Sequence, residues 1–167
     1  MMASGVHSIR SKADEMFVRA DKNYDRGDLL SAFRLFLSAA KMGNPNAQSR
    51  LGTMYADGKG IRPNRAAALY WYRRAHQKGE STSAFNLGMI YRDEQNLTKA
   101  LLWFRRAEAL GDLSAKLEIA KIYLADNGNA RRAIPYLESI LNARIPIVQK
   151  DDKKEARQLL KQFRKQS

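Results

Sequence analysis

Apolar residues recur every three or four positions along most of the chain, and short runs rich in Gly, Pro, Asn and Asp interrupt them. This spacing gives each segment one apolar face, so it predicts amphipathic helices joined by turns. Gly43, Gly79 and Gly111 close successive pairs of such segments and fall 36 and then 32 residues apart. The pattern predicts four helical hairpins, over residues of about 11–43, 46–79, 81–111 and 113–141.

Two blocks of residues recur inside these hairpins. The block 47–55 aligns with 83–91 and 115–123, and the block 68–75 aligns with 100–107. Self-similarity at a period of about 20–50 residues is typical of repeats that stack on one another. We therefore expect an all-α fold, a right-handed α–α superhelix (solenoid) of about four hairpins with a C-terminal capping helix. The repeated structural positions are Leu51, Gly52, Tyr55, Trp71, Ala75, Leu87, Gly88, Tyr91, Trp103, Ala107 and Tyr123.

Three segments lie outside the hairpins. Residues 1–10 show no helical spacing, so we expect a flexible lead-in there. Residues 142–150 are expected to form an extended connector, because Pro146 disfavours helical backbone at the residue before it. Residues 151–167 are expected to form the capping helix with a basic tail, since acidic residues begin it and basic residues end it, as the helix dipole favours.

The segment between Ala47 and Gly79 reads Ala-x-x-x-Leu-Gly-x-x-Tyr, then Gly-x-Gly-Ile, then Ala-x-x-Trp-Tyr-x-x-Ala-x-x-x-Gly. This pattern resembles the Sel1-like repeat, a relative of the tetratricopeptide repeat. The segment 83–111 matches without the Gly-x-Gly turn, and 113–141 matches more weakly. The resemblance covers roughly residues 13–141. It implies a non-catalytic adaptor that binds another protein, and a narrower version of it implies a bacterial immunity protein that neutralises a cognate toxin.

The resemblance also implies where a partner would bind. The first helix of each hairpin would line the concave face, and the second helix would form the convex back. Phe85, Met89 and Leu117 would then give that face an apolar centre, although the same residues could instead pack between hairpins or against the last helix. The residues expected on the concave face are Phe17, Asp21, Tyr24, Asn46, Ser49, Thr53, Phe85, Met89, Arg92, Asp93, Leu117, Lys121 and Leu124.

The chain is strongly basic, with 30 Lys and Arg against 17 Asp and Glu and a formal net charge of +13. Arg73, Arg74, Arg105 and Arg106 recur at equivalent positions of successive second helices and predict a basic ridge on the convex side. Such a ridge fits an acidic protein partner or nucleic acid, and it equally fits a solvated helix face. The alternative function is a scaffold that binds phosphate backbone through convex and C-terminal Lys and Arg. Specific nucleic-acid recognition is disfavoured, because the aromatic residues are used in the core and no reading module is evident.

The sequence offers little for catalysis. It has no cysteine and two histidines, and neither histidine belongs to a cluster with metal-ligand spacing. We therefore expect no catalytic residue, no metal, no cofactor and no small-molecule substrate. No signal peptide or apolar run of membrane-spanning length is visible, which predicts a cytoplasmic protein.

Overall fold

The computed structural model describes residues 3–126, 129–143 and 150–166, and the regular structure in those ranges is helical. A short 3-10 helix, Ala130–Ala133, leads directly into the eighth α-helix. The α-helices are α1 (Ala3–Asp25), α2 (Leu29–Lys41), α3 (Pro45–Asp57), α4 (Arg65–His76), α5 (Ser81–Asp93), α6 (Leu97–Ala109), α7 (Ser114–Ala125), α8 (Ile134–Asn142) and α9 (Lys150–Gln166).

Asn and Asp side chains begin many of these helices. The Asn44 carboxamide oxygen accepts the backbone N–H of Ala47 at 2.7 Å, and Asn64 and Asn96 accept equivalent bonds at 3.0 and 3.1 Å. Each bond satisfies one of the N–H groups that the first turn of a helix leaves without a partner. Short polar residues thus fix where successive helices begin, and the apolar face then has a defined direction.

The link between consecutive hairpins has the same geometry each time it occurs. Gly43, Gly79 and Gly111 all have positive φ, at 94°, 85° and 89°. The next residue then donates its N–H to a carbonyl five positions earlier, as Asn44 does to Ala39 at 3.0 Å. Glycine adopts this left-handed backbone without steric cost, which explains why glycine occupies all three positions.

The chain divides into two units, residues 1–83 and 84–167, and the boundary falls inside α5. In the first unit, the core joins α1, α2, α3 and α4 around Phe36, Leu51, Met54 and Trp71. In the second unit, the fully buried large side chains include Leu87, Phe104, Ile119, Leu137 and Ile140. Of the repeated structural positions, Tyr55 alone is half-buried, and the others are buried.

The structure differs from the sequence interpretation at the start of the chain. Helix α1 begins at Ala3, so the described part of the predicted lead-in, residues 3–10, is helical. Apart from Gly5, no helix-breaking residue separates these positions from the helix that follows, and a helix extends at little cost once its first turn has formed. Residues 144–149 of the predicted connector lie outside the described residues.

Helix α9 packs within the second unit as the first helix of a further hairpin would. Its Asp152 carboxylate accepts a hydrogen bond from the Ser114 hydroxyl at 3.1 Å, and Ala156 and Leu160 are buried. When Ala156 and Leu160 are aligned with Ala47 and Leu51, Lys161 stands at the position of Gly52. At that position, Gly52 and Gly88 lie directly against an aromatic ring of the second helix of their hairpin. That α9 caps the stack stays a prediction.

Candidate protein-binding face

In the first unit, an ion pair joins the first helices of two consecutive hairpins. The Asp21 carboxylate on α1 lies 3.2 Å from the Arg50 guanidinium on α3. The same guanidinium lies 5.8 Å from the ring centroid of Tyr24, and the Lys59 ammonium lies 5.9 Å from that ring. Two cations therefore hold the phenol of Tyr24, and the pKa of Lys59 is raised, chiefly by its hydrogen bond to Tyr24 and next by its hydrogen bond to Asp57.

Other predicted binding residues of this unit face different surroundings. Phe17 packs towards α2, with its ring 5.8 Å from that of Phe36. Thr53 turns towards α4, because its hydroxyl accepts a hydrogen bond from the Tyr72 hydroxyl at 3.1 Å. Asn46 is exposed and Ser49 is half-buried.

In the second unit, a charge network centred on one carboxylate connects α5, α7 and α9. Glu118 on α7 accepts hydrogen bonds from Arg92 on α5 and from Lys121, the latter at 2.9 Å. Lys121 also lies 2.9 Å from the Glu155 carboxylate on α9, and Arg92 lies 3.1 Å from Asp93. The Glu118 side chain is only 9% exposed, so this charge network is anchored in the interior and opens towards solvent at Asp93 and Glu155.

The network perturbs the titration of both cations. Burial alone lowers the pKa of Arg92 and of Lys121, because it disfavours the charged forms. For Arg92, hydrogen bonds to Glu118 and Asp93 outweigh this effect of burial, and its pKa is raised above the ordinary value. For Lys121, hydrogen bonds to Glu155 and Glu118 do the same. Both cations therefore remain charged over the range in which proteins work.

The apolar centre predicted for the concave face is only partly present. Leu117 is 3% exposed, so the prediction that it lines an open surface is corrected: its side chain is interior. Phe85 is half-buried and faces α6, where its ring lies 5.5 Å from that of Phe104. Met89 and Leu124 are also half-buried.

Sequence reasoning missed Arg50 and Glu118, the residues that hold the ion pairs together. The two occupy equivalent positions in the repeated block, one place after Ser49 and Leu117. A usable signal was present, since each has an opposite charge near the end of the preceding first helix, at Asp21 and at Arg92.

The four arginines of the predicted basic ridge are all exposed. Arg74 donates to the Tyr70 hydroxyl at 2.9 Å, and the Arg106 guanidinium lies over the Trp103 ring, 4.4 Å from its centroid. Arg105 donates to the Tyr123 hydroxyl. That the four arginines form one ridge stays a prediction.

The described residues contain no group of three or more His, Cys, Asp or Glu side chains arranged to hold a metal ion. Nor does any helix within those residues have the length and apolar character that crossing a membrane requires.

Comparison with known proteins connects the repeats to a family. The family model described as Sel1 repeat matches residues 21–44, 45–80 and 81–112, more than half of the chain. A stretch of 67 residues is 37% identical to the ERAD-associated E3 ubiquitin-protein ligase component HRD3A of Arabidopsis thaliana. That alignment covers 40% of this chain and 10% of the plant protein, so the chain spans about a tenth of that relative's length.

Two solved structures resemble the fold. The Sel1 repeat protein from Oxalobacter formigenes superposes with a TM-score of 0.67 at 28% identity, over 77% of this chain and 56% of that one. The protein c5321, a protective antigen present in uropathogenic Escherichia coli strains and displaying an SLR fold, superposes with a TM-score of 0.70. The sequence identity to c5321 is 22%, over 89% of this chain and 37% of that one, so this likeness shows a shared fold alone. These likenesses confirm the predicted all-α helical-repeat fold.

Proposed function

The chain belongs to the Sel1 repeat family, whose members typically mediate protein–protein interaction, and we propose that it binds a partner protein through the exposed side of α5 and α7. Membership confirms the resemblance that the repeated blocks indicated. The repeat is in general a non-catalytic interaction scaffold, and the chain is proposed to work as one.

The observation that carries this proposal is the network around Glu118. It fixes Arg92 on α5 and Lys121 on α7 through a largely buried carboxylate. Met89 precedes Arg92 by three residues and Leu124 follows Lys121 by three, so each apolar side chain neighbours one fixed cation on its helix. The result is a surface of half-buried apolar groups bordered by charges in set positions.

Such a surface suits recognition for two physical reasons. Side chains that are already held lose less conformational entropy when a partner binds, so more of the contact free energy appears as affinity. A few apolar anchors then supply most of that affinity, while the charges around them select the partner and speed the encounter. The other predicted positions on first helices, including Tyr24 and Asn46, stay predictions as partner contacts.

A photo-crosslinking residue placed at Met89 tests the proposal in cells of the native host. The matched control is the same residue at Leu30, which is exposed on α2, a second helix of the first unit. We expect position 89 to capture a protein and position 30 not to capture it. Equal capture at both positions would indicate contact without a preferred face.

The captured partner then allows a quantitative test by calorimetry. Met89→Asp places a charge among the proposed anchors and should weaken binding at least tenfold, as loss of an anchor does. Leu30→Asp should change affinity by less than about twofold. If Leu30→Asp abolishes binding and Met89→Asp does not, the binding surface is on the second helices and the proposal fails.

Two finer hypotheses stay predictions. A toxin among the captured proteins, together with restored growth when the chain is co-expressed with it, would support an immunity protein. Capture that disappears after nuclease treatment would instead support the phosphate-binding scaffold.

A further inference from the structure

A second surface of the unit 84–167 holds two arginines around one tyrosine. Arg105 on α6 donates a hydrogen bond to the Tyr123 hydroxyl on α7. The Arg132 guanidinium, from the 3-10 helix before α8, lies 5.8 Å from the centroid of the Tyr123 ring. Tyr136 on α8 packs beside Tyr123, with ring centroids 6.0 Å apart. We call these four residues the arginine–tyrosine patch.

The tyrosines of the patch are a fixed support for the arginines. Tyr123 is 6% exposed, whereas Arg105 and Arg132 are exposed. One guanidinium contacts the hydroxyl edge of a buried ring and the other lies over its face, so both are held near the same residue. The arrangement also raises the pKa of Arg105, chiefly through Tyr123 and further through Tyr136, against the effect of burial.

The charge of the patch is not neutralised from within the described part of the chain. No carboxylate in the described ranges lies within 4.0 Å of either guanidinium. The acidic side chains of the neighbouring helices are engaged elsewhere: Glu108 lies 3.9 Å from Lys116, and Glu138 lies 3.7 Å from Arg164. Both positive charges lie against the same tyrosine, and an anion bound beside them would be attracted by both.

Resting on the proposed function, we propose that the arginine–tyrosine patch binds an acidic segment of the partner protein. Each guanidinium presents N–H donors in a planar fork that matches a carboxylate, and two such forks suit successive Asp or Glu side chains of an extended segment. The patch is less suited to nucleotides, because the Tyr123 ring is buried and Arg132 covers it, so no base can stack on that ring.

A direct test measures binding of a fluorescein-labelled oligoglutamate peptide to the purified full chain by fluorescence anisotropy. The double variant Arg105→Gln, Arg132→Gln should weaken binding roughly fivefold at low salt, the effect expected for two exposed ion pairs. The control Lys154→Gln, Arg157→Gln removes the same charge from exposed positions of α9 and should weaken binding less than about twofold.

The variant Tyr123→Phe tests whether the orientation of Arg105 matters independently of its charge. It leaves the net charge unchanged but removes the hydroxyl that orients Arg105, so it should weaken oligoglutamate binding about twofold while wild-type helicity is retained. Unchanged affinity in Tyr123→Phe, with a loss in the double arginine variant, would overturn the positioning by Tyr123.

The remaining outcomes are equally decisive. Equal losses in the two double variants would show that oligoglutamate responds to overall charge, and the patch would fail as a site. The same assay with oligothymidylate of equal charge tests nucleic acid. Tighter binding of oligothymidylate than of oligoglutamate, lost in the Arg105 and Arg132 double variant, would assign the patch to nucleic acid instead. If the natural partner depends on Met89 but not on Arg105 or Arg132, this inference falls and the proposed function stands.

Discussion

Gly52 lies directly against the ring of Tyr72, so closely that a Cβ placed on this glycine would stand 2.6 Å from Cδ1 of the ring. Gly88 and Phe104 repeat the relationship, with a Cβ standing 2.5 Å from the corresponding ring atom. Real Cβ atoms essentially never show contacts shorter than 3.0 Å, so the two helices of these two hairpins can reach this distance only with glycine at the position. The glycine of the repeated block is therefore explained by the aromatic residue facing it.

Replacing Gly52 with leucine should destabilise the first unit strongly. The leucine side chain cannot fit without displacing Tyr72 or separating α3 from α4, and overpacking of this kind costs about 3 kcal/mol or more. The measurement is the shift of the urea unfolding transition. Ala56→Leu is the matched control, because Ala56 is exposed on the same helix and should change stability by less than about 0.5 kcal/mol.

Gln95 has a φ of 59° and is the non-glycine residue with positive φ in the described part of the chain. It lies in the turn between α5 and α6. The corresponding turn of the preceding hairpin, between α3 and α4, contains Gly58, which also has left-handed backbone. Left-handed backbone costs a non-glycine residue about 1–2 kcal/mol, which a glycine at the position would not lose. Part of this benefit is offset, because glycine has more conformational freedom in the unfolded state. Gln95→Gly should therefore raise the stability of the second unit by about 0.5–1 kcal/mol.

The same substitution elsewhere provides its control. Gln158 is exposed in the interior of α9, so Gln158→Gly should lower stability by about 1 kcal/mol. If both glycine variants are destabilised to the same extent, the backbone of Gln95 is not under strain and the explanation is wrong.

The sequence was sufficient for the repeats because their signals are local. Gly43 and its two counterparts mark the turns. The tyrosine of each block, with the small residue at Gly52, Gly88 and Ala120, marks the packed face of a first helix. It was insufficient for the binding face, as Leu117 and Glu118 show. These neighbours differ by about 100° around the helix, and helical spacing alone leaves the rotation of a helix against its neighbours uncertain by about that amount. The interior position of Leu117 depends on contacts with other helices, which no periodicity encodes.

Glu118 should contribute more to stability than Asp93, although both pair with Arg92. Removing the Glu118 carboxylate leaves Arg92 and Lys121 partly buried without their shared anion, which we expect to cost about 1–3 kcal/mol. Asp93 is largely exposed, and an exposed ion pair contributes about 0–1 kcal/mol. Urea unfolding of Glu118→Ala and Asp93→Ala compares them directly, and an equal loss in the two variants would contradict the role given to the buried carboxylate.

Lys121 should make the stability of the second unit depend on alkaline pH. Burial lowers the pKa of Lys121, but the hydrogen bonds to Glu155 and Glu118 raise it by more than burial lowers it. The pKa of Lys121 in the folded state therefore lies above its ordinary value of 10.5. A cation whose pKa is raised by folding stabilises the folded state fully below its unfolded pKa, and that contribution is lost as pH rises through the folded pKa.

The free energy of unfolding of the wild type should therefore exceed that of Lys121→Gln up to about pH 10, with the difference shrinking above pH 10.5. Lys121→Arg is the control, since a guanidinium keeps its charge throughout this range and should keep its advantage over Lys121→Gln above pH 10.5. A difference between wild type and Lys121→Gln that stays constant from pH 8 to above pH 11 would mean that the ion pairs with Glu118 and Glu155 do not stabilise the charged lysine, because only that stabilisation links its proton to folding.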